Sequence, residues 1–165
     1  MTDQAGGSRR KIVVGVDGSV PSKAALAWAT SEARMRGAVV EAVIAWETPT
    51  TFGYPVLVST VDWEQLATQV MDDAVGAVAD SERPAEITTK ILKGNAAQVL
   101  LEQSAGADLL VVGNRGHGGF IEALLGSTGQ HCVQHATCPV VVIRDPDTGH
   151  EEASAGGSGA FTDRP

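Results

Sequence analysis

The chain has 165 residues, of which 43% are hydrophobic and 19% charged, a globular composition at the length of one domain of roughly 100–200 residues. Twenty acidic side chains against 12 basic ones give a net charge of −8, which repels phosphate backbones and argues against general nucleic-acid binding. No run approaches the ~18 uninterrupted apolar residues of a membrane helix, so no membrane partner is expected.

Residues 1–9 read as a tail, with Arg9-Arg10-Lys11 a basic flank of the first strand. Asp17 and Gly18 interrupt the opening apolar run at once, so no secretory signal is expected. The two cysteines, Cys132 and Cys138, make no disulfide framework at this length, and the expected location is a reducing cytoplasm.

Five short apolar runs follow, separated by helical or looped segments. The first strand is expected at Lys11–Val16. Ser19 then caps a helix that follows Pro21, passes Ala24, Ala25, Trp28 and Ala29, and stops at Gly37. The second strand is Val39–Trp46. Thr48–Thr60, with Pro49, Phe52, Tyr54 and Pro55, is long for a plain connection and reads as a lid or a surface loop. Trp63, Leu66, Val70, Ala74 and Val78 step by three or four, the spacing of an amphipathic helix. The third strand is Ile87–Leu92, after which Asn95 caps a helix through Val99, Leu100 and Leu101 that ends near Gly106. Leu109–Val112 is the fourth strand, a helix opens near Gly126-Ser127, and Val140–Ile143 is the fifth strand. Residues 146–165 are acidic and rich in Gly and Ser, too poor in apolar side chains to repay the entropy of ordering.

Near-continuous Val, Ile and Leu runs mark strands buried on both faces. Their alternation with helical crossovers implies an α/β domain over residues 10–145, with a mainly parallel sheet and right-handed connections. Periodicity does not give the strand order.

The most informative segment runs from Leu109 to Gly129. A strand ends in Gly113, Gly116 follows, and Gly126-Ser127 opens a helix. Glycine at a strand end lets a ligand approach bare backbone. A helix N-terminus offers unpaired N–H groups and partial positive charge to a phosphate. Ser127 and Thr128 add hydroxyls there, and Arg115 adds charge. In open α/β sheets ligands lie outside the carboxyl ends of the strands, where this loop sits. No GxxxxGK[ST] occurs, and Gly116-His-Gly118-Gly119-Phe-Ile121 fails GxGxxG at Ile121. Glycines that only serve tight turns are the competing reading.

The spacing Gly113-x2-Gly116-x9-Gly126-Ser127 resembles the nucleotide-binding pattern of the ATP-binding branch of the universal stress proteins. Three further segments, Ile12–Ser19, Ala107–Gly113 and Cys138–Ile143, resemble that family in order and spacing. The resemblance implies a five-stranded, Rossmann-like parallel sheet in the order 3-2-1-4-5 with helices on both faces. It places Asp17 against the adenosine part of a nucleotide, Gly15 close beneath it and Ala45 in the adenine pocket. Gly113 and Gly116 would meet the ribose and first phosphate, and Gly126, Ser127 and Thr128 the outer phosphates. It also implies ATP with magnesium as the ligand and a homodimer through the last strand, for which a covering C-terminal tail is the alternative.

Other constellations compete. Asp17 also suits a helix start beside Ser19. His131 and His135 stand at i and i+4 near Cys132 and Cys138, yet the closely spaced pairs of a structural zinc site are missing. His117 and Glu122 have no accompanying nucleophile at recognisable spacing. The expected function is therefore a dimeric, ATP-binding stress sensor or adaptor with little or no hydrolysis. A slow ATPase and a cyclic AMP-binding module are the alternatives.

Overall fold

Each of the five apolar runs forms a strand of one parallel sheet in the computed structural model, which describes residues 9–48, 50–51, 54–55, 61–78, 85–116 and 125–144. The expected tails (Arg9 apart), Asp145, most of Thr48–Thr60, and His117 and Glu122 lie outside the described residues. The strands are β1 (Lys11–Gly15), β2 (Val39–Trp46), β5 (Ile87–Lys93), β6 (Leu109–Gly113) and β7 (Val140–Ile143). Between β2 and the next helix, β3 (Thr50–Thr51) and β4 (Tyr54–Pro55) pair antiparallel. The sheet runs β5-β2-β1-β6-β7, which is 3-2-1-4-5 among its own strands, and every pairing in it is parallel.

The helices are α1 (Val20–Arg36), α2 (Trp63–Val78), α3 (Ala96–Ser104) and α4 (Ser127–His135). Ser19 caps α1 by accepting the Ser22 N–H, and Gly37 ends it with a left-handed φ of 63°. That conformation costs glycine least. Asn95 caps α3 through the N–H groups of Ala97 and Gln98, and Asp62 accepts the Gln65 N–H in the first turn of α2 at 3.0 Å.

Alternation along the strands feeds two cores. Ile12, Val14, Val40, Ala42 and Val111 meet Leu26 and Ala29 of α1 and Met71 of α2 on one face. Val13, Val43, Leu110 and Val112 meet Val99 and Leu100 of α3 and Cys132 of α4 on the other. The alanines of α1 let it lie close on the sheet. β7, at one edge, is half-buried throughout, and β5, at the other, exposes Thr88, Thr89 and Lys93. Glu41 is buried under α3, with Lys90 Nζ at 3.0 Å and Lys11 Nζ at 3.4 Å. The same lysines reach the Gln103 side-chain and backbone oxygens, which ties the end of α3 to the sheet.

Candidate functional site

The chain crosses from one side of β1 to the other between β5 and β6, so a crevice opens where β1 and β6 part at their carboxyl ends. A cleft of about 440 Å³ occupies it. Gly15, Asp17, Ala45, Gly113, Arg115, Gly116, Gly126, Ser127 and Thr128 all line this cleft. Sequence reasoning missed Ser22, Ala96, Leu100 and Leu125, which complete the walls. In sequence these are ordinary helix or core residues, and only the position of α3 and the start of α1 turns them towards a cavity.

One wall is a free backbone edge. Pairing of β1 with β2 stops at Gly15 opposite Val43, and Val16 N–H makes the last bond, to Val43 O at 2.8 Å. β2 continues to Trp46, whose carbonyl turns the other way and accepts from Gly94 N–H. Strand alternation therefore turns the N–H and C=O of Ala45 towards the space that β1 vacates. That edge presents a donor and an acceptor side by side.

The floor is the turn after β1. Gly18 adopts φ 84°, which brings Ser19 back over Asp17. Ser19 N–H and Oγ–H both donate to Asp17 Oδ1, at 2.9 and 2.5 Å. Ser22 Oγ accepts the Asp17 N–H at 3.3 Å and donates to Ser19 O at 3.0 Å.

The opposite wall is the glycine loop and α4. Asn114 N–H donates to Ile143 O and Asn114 O accepts from Gly126 N–H, both at 2.7 Å. These two bonds hang the start of α4 on the ends of β6 and β7. Gly126 is the N-cap of α4, and among the described residues no side chain caps the helix, whereas acceptors from Ser19, Asp62 and Asn95 serve the other three. The first-turn donors of α4 therefore face the cleft with their partial positive charge uncompensated. Arg115 lines the same wall, and its Nε has no hydrogen-bond partner among the described residues.

The four glycines have different reasons. A Cβ on Gly113 would lie 2.8 Å from Pro21 Cβ and 2.9 Å from Ser22 N, so the approach of α1 already demands glycine there. On Gly15 it would lie 2.9 Å from Leu100 Cδ1, and on Gly116 2.5 Å from Asp17 Oδ2. On Gly126 it would meet no described residue nearer than 3.7 Å, and the backbone there, at φ −66° and ψ 161°, suits any residue. Packing among the described residues leaves that glycine unexplained.

The His–Cys constellation divides. His131 and His135 stack on the exposed side of α4, ring centroids 4.2 Å apart, while Cys132 is fully buried against the sheet. Burial, with the nearby Cys138 second, pushes the Cys132 thiol up to about 11. Among the described residues no group of three His, Cys, Asp or Glu side chains could hold a metal ion, and no helix is long and apolar enough to cross a membrane.

Residues 8–144 match the model of the universal stress protein family. The chain belongs to that family. Among its curated relatives, universal stress protein Rv2623 of Mycobacterium tuberculosis is 34% identical over 137 residues, covering 81% of this chain and 45% of its own length. The chain thus spans about half the length of the curated relatives it matches. UspA from Lactobacillus plantarum has the same fold, with a TM-score of 0.66 at 26% identity over 84% of this chain and all of its own. Two more distant universal stress proteins share the fold with ligands in place. One, from Arabidopsis thaliana, is solved with AMP bound (19% identity, TM-score 0.58, 87% of this chain and 97% of its own). The other is in complex with cAMP (24% identity, TM-score 0.57, 81% and 95%).

Proposed function

We propose that the cleft binds an adenine nucleotide, ATP foremost, and that the chain works as a nucleotide-dependent stress sensor or adaptor in the cytoplasm. The uncapped N-terminus of α4, beside Arg115, carries this reading. Unpaired N–H groups, a helix dipole and a guanidinium converge on one wall, which is an anion site. The free edge of Ala45 at the other end offers an N–H and a C=O, the complement of the adjacent acceptor and donor on adenine. The AMP- and cAMP-bound relatives support the adenine assignment.

The oxygen donors on the cleft suit magnesium only partly. Ser127, Thr128 and one oxygen of Asp17 are too few for an all-protein cage, so the ion would sit mainly among phosphate oxygens and water. Asp17 is the sole carboxylate among the described lining residues, and it is tied to Ser19. With that carboxylate tied and no Walker lysine in the sequence, turnover is expected to be slow or absent. The half-buried edge strand β7 would pair with a second copy of the chain.

Cyclic AMP is the second reading, since a relative binds it. Ser127→Ala distinguishes them. Loss of this hydroxyl is expected to weaken ATP roughly tenfold and leave cyclic AMP unchanged. Equal loss for both, or cyclic AMP bound more tightly than ATP by the native chain, would favour the cyclic nucleotide.

A further inference from the structure

Three chemistries stand in a row along the cleft: the β2 edge at Ala45, the end of β1 at Asp17, and the α4 N-terminus beyond β6. On the nucleotide reading, on which this inference rests, the base occupies one end and the phosphates the other. Asp17 then faces the sugar between them. A carboxylate next to a polyanion is repelled unless nearby donors offset its charge. Ser19 supplies two such donors, its N–H and its hydroxyl, and both go to Oδ1.

Oδ1 is thereby occupied. Oδ2 makes no hydrogen bond among the described residues and lies against the glycine loop, in the space that a Cβ on Gly116 would need. The Ser19 hydroxyl is also 3.4 Å from Arg115 O, so one side chain links the β1 turn to the phosphate wall. Helix capping accounts for the bond that Ser19 accepts from Ser22 N–H, but not for the two it donates.

We propose that Ser19 is a positioning residue for ligand selection. By holding Oδ1, it leaves Asp17 one acceptor, Oδ2, aimed at a single sugar hydroxyl. The site then selects ribonucleotides over the analogue that lacks that hydroxyl. Loss of the Ser19 hydroxyl leaves Oδ1 only the Ser19 backbone N–H, which loosens the carboxylate, and the sugar hydroxyl goes unread.

The test is the ratio of dissociation constants for 2′-deoxy-ATP and 3′-deoxy-ATP against ATP, with magnesium. It is measured on the native chain, Ser19→Ala, Ser19→Thr and Asp62→Ala. Ser19→Ala also removes a helix cap and lowers stability for that reason alone. Asp62→Ala removes the α2 cap, whose residue lines no part of the cleft, and controls for this. One deoxy analogue is expected to bind roughly tenfold more weakly than ATP to the native chain, Ser19→Thr and Asp62→Ala. In Ser19→Ala the ATP affinity falls to that analogue's level and the ratio approaches one. A ratio retained in Ser19→Ala, or no discrimination by a native chain that binds ATP, overturns the role of Ser19. A native chain that binds none of the three overturns the nucleotide reading and takes this role with it.

Discussion

At the residue scale, Gly113 and Gly126 belong to one sequence pattern and answer to different forces. Gly113 is held by α1: an added methyl would meet the backbone of Pro21 and Ser22, which cannot retreat without moving the helix. Gly113→Ala is expected to lower unfolding free energy by about 1–3 kcal/mol, read as a fall in denaturant midpoint. Among the described residues Gly126 has room, and its backbone is ordinary, so Gly126→Val should lower unfolding free energy by no more than about 1 kcal/mol, the cost of a poorer N-cap, while closing the cleft mouth. The glycine spacing was legible in the sequence, but these separate reasons were not, because each depends on which helix comes near. Cys132 gives a pH prediction. Its thiol is raised in the fold, so above its ordinary value of 9.0 the unfolded chain loses a proton that the folded chain keeps. Stability is then full below about pH 9 and falls as pH rises towards 11. Thermal melts across that range check the slope, and a Cys132→Ser variant should flatten it.

At the element scale, the bare N-cap of α4 would, on the proposed nucleotide reading, exchange stability for function. Gly126→Asp supplies both a side-chain acceptor and a charge matched to the dipole. It is expected to stabilise the empty protein by a few tenths of a kcal/mol, up to about 1, and to expel anionic ligands. A melt measured with and without ATP shows both effects, the second as a lost ligand-induced shift. The opposite end of the sheet carries the Lys11–Glu41–Lys90 cluster. Glu41→Ala leaves two partly exposed ammonium groups and an untied α3, and should cost about 1–3 kcal/mol, less than a fully enclosed pair because the lysines can reach water. The five strands of the main sheet and the starts of the helices were legible to within a residue or two, since buried Val and Ile runs and Ser or Asn caps are local signals, whereas the β3–β4 pair falls in the stretch read as a lid or surface loop. The α3 wall of the cleft was not, because Ala96 and Leu100 look like any core-facing helical residues.

At the scale of the whole molecule, strand order decides which ends meet. Periodicity was silent on it, since a strand buried on both faces reads the same at any interior position; the order came through the family resemblance, and the sheet has it. The position of β7 at an edge of the described sheet follows from the same order. Pro139 O bonds Leu110 N–H, and Ile143 O accepts from Asn114 N–H, so the backbone groups of Val140 and Val142 point outward. Val142→Pro removes one outward N–H without breaking the β6 ladder. Sedimentation should show a dimer for the native chain and a monomer for this variant, and a native monomer would contradict pairing through β7. The bonds from Asn114 to Ile143 and Gly126 join that edge to the cleft wall, a route by which bound phosphates would reach a partner. The proposed function depends on whether the cleft takes a nucleotide. The decisive measurement is calorimetric titration of nucleotide-free protein with ATP, AMP and cyclic AMP in the presence of magnesium, alongside Gly126→Val. The account predicts saturable ATP binding at one site per chain, tighter than AMP, and no detectable heat from the folded Gly126→Val protein. Silence from the native chain with all three ligands, or equal ATP affinity in the variant, would contradict it.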